Sequence, residues 1–236
     1  MSMKDYFDKK YYPEYEDSWD DKLFRQFILE RMKPEFSVLD LGAGAGIVPE
    51  MDFSGRAARL CGLDPDPRVE TNPYLDEAKI GLGEDIPWPD NTFDLVFADN
   101  VLEHLADPDR VFAEVTRVLK PGGRFLFKTP NRSHYMPLIA RMTPLSFHRF
   151  YNRMRGRASE DTFHTHYRAN TPADVTAIGK RVGLGNPEIR LVEGRPEYLR
   201  MAAASYVFGI AYERLVNRID ALERFRILLM GSLQKT

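Results

Sequence analysis

The chain is poor in cysteine and has no long apolar run, and each absence excludes a class of protein. Its 236 residues include one cysteine, Cys61, so an intramolecular disulfide is excluded and a reducing, cytoplasmic location is expected. No apolar run reaches the roughly eighteen residues that a membrane-spanning helix needs, so none is predicted. The first residues are polar and aromatic, so we expect no secretory signal.

An excess of positive charge is also absent. The 33 Lys and Arg residues nearly balance the 35 Asp and Glu residues, and the net charge is −2. Proteins that bind nucleic acid in general carry a strong basic excess, so such a role is disfavoured. The hydrophobic fraction of 43% is enough for a full core, and the length favours one domain over residues 1–236.

The chain does contain a glycine-rich turn directly after a short apolar segment. Val38 to Leu41 read as a strand that carries Asp40, and Gly42, Gly44 and Gly46 follow at alternate positions. Because glycine lacks a Cβ and tolerates positive φ, such a turn can bring backbone amides close to a ligand. A helix starting within residues 47–51 would add its free N–H groups. This pattern predicts the nucleotide-cofactor corner of a doubly wound α/β domain.

The spacing of the glycines argues against a dinucleotide as the ligand. A dinucleotide loop has the pattern G-x-G-x-x-G/A, and here its last small position is occupied by Ile47. The loop instead has the pattern G-x-G-x-G with Asp40 ahead of it, so NAD binding is not expected.

Further motifs follow in order. Arg59 to Asp64 form a second short strand that ends in an acid, whose carboxylate can accept both hydroxyls of a ribose. Three more stretches continue the series, at residues 83–94, 95–105 and 119–127. The series resembles the class I S-adenosylmethionine-dependent methyltransferases, in the group that contains the ubiquinone and menaquinone methylases. The resemblance is specific over residues 36–130 and looser over 160–195.

Strands alternate with helical segments, which predicts a mostly parallel sheet. The strands are expected near residues 36–41, 58–63, 78–82, 93–98, 123–128, 187–192 and 225–233. Helices are expected from Asp17 or Ser18 to Met32, from Asp107 to a stop at residues 121–123, and from Thr171 to Gly183. The resemblance implies a doubly wound, seven-stranded Rossmann-like α/β fold with an antiparallel last strand.

Three segments lie outside the predicted sheet. Residues 1–35 are expected to form an N-terminal helical cap. Residues 131–168 and 196–222 are insertions that leave the sheet at or near the carboxyl ends of strands. Open α/β sheets bind their ligands there, so both insertions are expected on the acceptor side.

The resemblance implies which residues bind S-adenosylmethionine. Asp40 would accept a hydrogen bond from the amino group of the cofactor, directly or through water. Main-chain groups of Gly42, Ala43 and Gly44 would meet its methionine part, and Asp64 would accept from the ribose hydroxyls. Asp99, at the end of the fourth strand, is expected to face the cofactor or the acceptor.

The adenine end departs from the pattern of the family. Related proteins have an acidic or amide residue followed by alanine after the third strand, and this chain has Leu82 and Gly83 there. The amide of Gly83, and the carboxylate of Glu84 or Asp85, are therefore expected to contact the adenine. Leu82 or Ile86 is expected to pack against the purine face.

The catalytic residues follow from the chemistry of the acceptor. An alcohol must lose its proton as the new bond forms, and histidine titrates near neutral pH. His134 and His166 are the candidate bases because they lie in the first insertion among polar residues, and Asp99 is next. His104 is expected to brace the loop after the fourth strand. His164 and His166 alternate, but alternation alone does not make a metal site, and no metal is predicted.

The acceptor itself stays open. The resemblance implies a small molecule with a hydroxyl group, of the sugar, lipid-linked or natural-product kind. Nitrogen or carbon acceptors, an RNA methyltransferase and a cofactor-binding protein without turnover remain alternatives. Between residues 132 and 157 the chain has six arginines and no acid, which indicates either a solvated basic helix or a surface for an anionic acceptor or lipid head groups.

Overall fold

The computed structural model describes residues 3–15, 17–142, 164–200 and 202–236. The strands are β1 (Ser37–Leu41), β2 (Arg59–Asp64), β3 (Glu77–Ile80), β4 (Phe93–Asp99), β5 (Leu119–Pro130), β6 (Leu184–Val192) and β7 (Leu228–Lys235). The helices are α1 (Met3–Tyr11), α2 (Trp19–Leu29), α3 (Pro108–Val118), α4 (Tyr135–Met142), α5 (Pro172–Val182) and α6 (Ala203–Arg218). Short 3₁₀ turns include Pro49–Met51, Pro67–Thr71 and Leu102–His104.

The strands form one seven-stranded sheet in the order β3-β2-β1-β4-β5-β7-β6. The pairs β1–β2, β1–β4, β2–β3 and β4–β5 are parallel, which confirms the predicted mostly parallel α/β sheet. Asp40 lies opposite Gly62 and Phe97, and Asp99 lies opposite Lys128. The carboxyl ends of β1, β2 and β4 therefore bring the three predicted strand-end acids to one edge of the sheet.

The helix predicted after the glycine loop is absent. The chain makes only the 3₁₀ turn Pro49–Met51, and Val48 before it is extended, with φ −103° and ψ 101°. The residue before a proline avoids the α region because the proline ring collides with it, and Pro49 also lacks an N–H donor. The expected row of helical N–H groups is therefore not available at this corner.

Strand β5 begins earlier than predicted. The prediction that residues 121–123 end the preceding helix was wrong, because α3 ends at Val118 and Leu119 already pairs with Phe93. The pairing of β4 with β5 shifts register between Phe93 and Leu95. A Cβ on Gly123 would lie 2.9 Å from the Lys120 carbonyl, so a glycine allows this irregular stretch to belong to the strand.

Helix α2 is shorter than predicted, and its apolar side covers the sheet. Phe24, Phe27 and Ile28 are buried against residues of β1, β2, β4, β5 and β7. The side chain of Cys61 is buried in β2, as expected, and burial raises the pKa of its thiol to about 11. The thiol is therefore a small apolar core group at neutral pH.

Two compact units make up the fold. The sheet unit consists of residues 20–129, 165–190 and 229–236. The insertion unit consists of residues 1–19, 130–164 and 191–228, and it contains α1, α4, α6 and most of both predicted insertions.

Helix α5 begins and ends as its sequence predicts. Thr171 is the N-cap, and its Oγ1 accepts a hydrogen bond of 3.1 Å from the Asp174 N–H. Pro172 occupies the first turn, and Gly183 ends the helix with a left-handed φ of +87°.

We expect Thr171→Ala to lower the free energy of unfolding by about 1 kcal/mol, because the Asp174 N–H loses its acceptor. Thr171→Ser keeps the hydroxyl and should stay within a few tenths of the parent. Urea unfolding followed by circular dichroism measures both. Equal destabilisation by the two variants would show that the methyl group, and not the cap, is what matters.

Candidate functional site

The glycine loop is held against the end of β2. The Gly42 N–H donates to the Leu63 carbonyl at 2.8 Å. Gly42 has a φ of +85°, and a Cβ there would lie 2.3 Å from Cγ2 of Val101, so only glycine fits. At Gly44, with a φ of +52°, the side on which a Cβ would stand is open for 4 Å. The loop is thus anchored on one side and open on the other.

Asp64 organises this loop as well as ending β2. Its Oδ2 accepts from the Gly44 N–H at 2.9 Å, and its Oδ1 accepts from the Asp66 N–H at 2.8 Å. The residue is buried, so these bonds are shielded from water. A carboxylate oxygen can accept more than one hydrogen bond, so a ligand hydroxyl can still bind there.

Asn72 is a further residue of the loop that the sequence analysis missed. Its buried amide nitrogen donates to the carbonyls of Ala43 and Gly44, at 3.0 and 3.2 Å. A Cβ on Gly46 would lie 2.5 Å from Oδ1 of Asn72, so the third glycine makes room for this side chain. The available signal was the Asn72-Pro73 pair, because Asn before Pro favours a turn.

The predicted acids Asp40 and Asp99 are largely shielded from water at this edge of the sheet. Burial, and after it the charges of Asp99 and Asp64, hold the pKa of Asp40 well above its usual range. Burial raises the pKa of Asp99 to about 7, although Lys128 opposes the shift. Like charges brought together in this way favour a cationic ligand, because a cation relieves their repulsion.

Lys128, in β5, neutralises part of this cluster. Its buried Nζ lies 2.9 Å from Oδ1 of Asp99 and 3.3 Å from Oδ2 of Asp20, and it also contacts Asp21. Burial alone would lower the pKa of Lys128, but Asp99, Asp20 and Asp21 together raise it above its usual value. Lys128 was not predicted as a site residue, although a charged residue within an apolar strand is itself a signal that a partner is needed.

The residues predicted to contact the adenine differ in their exposure. Gly83 is half-buried, and Asp85 is exposed with its N–H bonded to the Leu82 carbonyl at 3.1 Å. Ile86 is buried in the interior, so its expected contact with a purine is not available in this arrangement. The side chain of Leu82 is 58% exposed and can form that contact.

A buried polar chain connects the turn after β4 to the returning end of the first insertion. The Asn170 amide donates to Oγ1 of Thr129 at 2.7 Å, and the Thr129 hydroxyl donates to Oε2 of Glu103 at 2.7 Å. The carbonyl of Glu103 accepts from the His166 N–H at 2.7 Å and from the Tyr167 N–H at 3.2 Å. The backbone of His166 is thereby bonded to the turn that follows Asp99.

The two predicted histidine bases have different environments. The side chain of His166 is exposed. His134 is buried in the insertion unit, where its Nδ1 accepts from the Met136 N–H at 3.1 Å. Its Nε2 lies 3.5 Å from Oε2 of Glu193, a residue that the sequence analysis did not single out.

Burial opposes a charge on both His134 and Glu193. Burial lowers the pKa of His134 to about 3 and raises the pKa of Glu193 to about 8. The hydrogen bond at Nδ1 assigns the single imidazole proton to Nε2. His134 therefore already uses the lone pair that a base would need.

Most of the predicted arginine-rich stretch cannot be compared with the structure. Residues 143–163, with most of the arginine-rich stretch, lie outside the described residues, so its role stays a prediction. Across the described ranges, no three His, Cys, Asp or Glu residues group as metal ligands. In the same ranges, no helix is long and apolar enough to cross a membrane.

Comparison with known proteins finds a family that part of the chain resembles. Residues 39–127 match the family described as a methyltransferase domain. The demethylmenaquinone methyltransferase of Symbiobacterium thermophilum is 34% identical over 119 residues, which are 45% of this chain and 47% of that protein. The glycine/sarcosine/dimethylglycine N-methyltransferase of Actinopolyspora halophila is 36% identical over 112 residues, 43% of this chain and 20% of that protein. The matches thus span less than half of these relatives.

A solved structure shares the fold. The S-adenosylmethionine-dependent methyltransferase of Mesorhizobium loti aligns with a TM-score of 0.57 and 18% identity, over 92% of this chain and 99% of that chain. At this identity the likeness shows the fold alone. Residues 39–127 are thus similar to a methyltransferase domain in sequence, and the chain as a whole shares the fold of an S-adenosylmethionine-dependent methyltransferase.

Proposed function

We propose that this chain transfers the methyl group of S-adenosylmethionine to a hydroxyl of a small molecule, of the sugar, lipid-linked or natural-product kind. The observation that carries the cofactor assignment is the convergence of Asp40, Asp64 and Asp99 on the glycine loop. Such a corner suits a ligand that is itself a cation, and S-adenosylmethionine carries both an ammonium and a sulfonium group.

The residues present fit this cofactor. Asp40 and Asp99 would accept from its ammonium group, Asp64 from its ribose hydroxyls, and Leu82 would cover its adenine. When bound, the cofactor supplies a methyl group that is already activated by the sulfonium. The chain then has to hold the acceptor in line with that group and exclude competing water.

His166 is the proposed base for the acceptor hydroxyl. Its side chain is exposed, and its backbone is bonded to the turn that follows Asp99. His134 and Asp99 are the other candidates. The bond between Nδ1 of His134 and the Met136 N–H favours His166, because His134 would have to give up that bond to accept a proton.

A nitrogen acceptor is the second candidate, since one relative named above is an N-methyltransferase. A neutral amine needs little help from a base. Labelled S-adenosylmethionine offered with pooled sugars, phenols, amines and RNA distinguishes the possibilities. Labelled sugars or phenols support the proposal, and label in amines or RNA alone contradicts it. Cofactor binding without any product would indicate a protein that does not turn over.

Calorimetry should show micromolar binding of S-adenosylmethionine and none of NAD. Binding of NAD without binding of S-adenosylmethionine would contradict the assignment of S-adenosylmethionine as the cofactor.

Asp64→Ala should weaken the binding of S-adenosylmethionine by roughly 1.5–3 kcal/mol, the cost of losing hydrogen bonds to a charged group. Asp66→Ala, which removes a neighbouring acid that caps a 3₁₀ turn, is the matched control and should keep the affinity.

The affinity for S-adenosylhomocysteine, whose only cation is its ammonium group, should fall as the pH drops below 7. Below its pKa of about 7, Asp99 holds a proton in the empty site, and the arriving ammonium must displace it. Each displaced proton lowers the affinity by up to about tenfold per pH unit.

Asp99→Asn should reduce this slope, because only Asp40 of the two ammonium-site acids can then hold a proton, whereas Asp90→Asn, at an exposed acid of the same unit, should leave the slope unchanged. Titrations in two buffers of different ionisation enthalpy measure the released protons directly. An affinity that stays constant between pH 6 and 8 contradicts the assignment of Asp99 to the ammonium site.

His166→Ala should lower turnover by roughly two to four orders of magnitude and leave the affinity for S-adenosylhomocysteine unchanged, because only proton removal is lost. His164→Ala replaces the exposed histidine two positions away and is the matched control. Near-normal turnover of His166→Ala would transfer the role to Asp99, to His134 or to an acceptor that ionises by itself.

A further inference from the structure

Helix α6 is apolar on two opposite sides, and its residues are buried on only one of them. Tyr206, Gly209, Ile210 and Val216 are buried. On the other side Val207, Phe208 and Leu215 are 52%, 62% and 51% exposed. Surface helices ordinarily turn polar residues outward, so this arrangement needs a reason.

The exposed apolar residues form one continuous face. Ala204, Phe208, Ala211 and Leu215 follow the spacing that stacks side chains along one side of a helix, and Val207 lies beside them. We call these five residues the outer face of α6.

Cations and tyrosines border the outer face. Arg214 and Arg218 are exposed on α6. The Arg214 guanidinium lies 5.4 Å from the ring centre of Tyr11 in α1, and Nζ of Lys10 lies 5.2 Å from the same ring. Lys10 also lies 5.5 Å from the ring of Tyr6. Tyrosine and long cationic side chains are typical of the boundary between lipid and water.

Glu213 of α6 and Asp8 of α1 are engaged within the protein. Glu213, the only acid in α6, accepts from the Tyr12 hydroxyl at 3.2 Å and from the Asn217 amide at 2.7 Å. Asp8 of α1 is paired with Arg200 at 2.6 Å and accepts from the Tyr206 hydroxyl. The charge that α6 itself presents around its outer face is therefore positive.

We propose that the outer face of α6, with Lys10, Arg214 and Arg218 at its border, docks on the surface of a bilayer rich in anionic lipid. A second copy of the chain would bring the same arginines to the contact, whereas lipid phosphates supply the opposite charge. The proposal goes beyond methyl transfer and requires no acceptor.

Sedimentation of the full chain with vesicles tests the proposal. The chain should bind vesicles of phosphatidylcholine and phosphatidylglycerol in a 7:3 ratio, and bind pure phosphatidylcholine far less. Phe208→Ser with Leu215→Ser should lower the partition coefficient at least about tenfold. Arg214→Glu with Arg218→Glu should do the same, because each cation near an anionic surface contributes roughly fivefold.

Two matched variants serve as controls. Phe208→Leu with Leu215→Met keeps the face apolar and should keep the binding. Lys180→Glu with Arg181→Glu makes the same charge change at exposed positions of the last turn of α5, and should also bind. Thermal melting checks that each variant is folded. If the variant with two serines does not fold, the variant with Arg214→Glu and Arg218→Glu tests the proposal by itself.

Three results would overturn the proposal. One is failure of the parent chain to bind the anionic vesicles. Another is binding that neither the serine pair nor the glutamate pair reduces. The third is a dimer in sedimentation velocity that the serine pair dissociates, without vesicle binding, which would assign the outer face to a second copy.

Discussion

The buried ammonium group of Lys128 is the interaction on which the ligand edge of the sheet depends. It joins the end of β4, through Asp99, to the first turn of α2, through Asp20 and Asp21. A lysine buried without partners would be strongly destabilising, so the three carboxylates and the lysine require one another. The acids also lie at the helix end where negative charge is favourable.

This pairing leaves the cofactor corner with acids in excess. Lys128 is shared among Asp99 and two acids of α2, while Asp40 is buried beside Asp99 and Asp64 without a cation of its own among the charges that shift its pKa. The same corner lacks the helix that usually supplies N–H groups to a ligand. In the proposed function, recognition therefore depends on carboxylates and on the open side of a glycine loop, which suits a cationic ligand better than a phosphate.

Much of this could be predicted because the signals are local. The acids at the ends of β1, β2 and β4 and the cap at Thr171 are each readable from a few adjacent residues. The site residues that were not predicted depend on contacts between residues far apart in the sequence. Asn72 bonds to Ala43 and Gly44, and Lys128 contacts Asp20 and Asp21, which lie far from it in the sequence. One local signal was misjudged, because Pro49 restricts Val48 and prevents the helix that the glycines suggested.

The bonds that Asp64 and Asn72 make to the glycine loop have a kinetic consequence. Both side chains hold the loop through bonds internal to the protein, so its ordering belongs to folding and not to ligand capture. In the proposed function, spent cofactor would then leave and fresh cofactor enter without the loop refolding between cycles, so the loop itself would add no ordering step to each exchange.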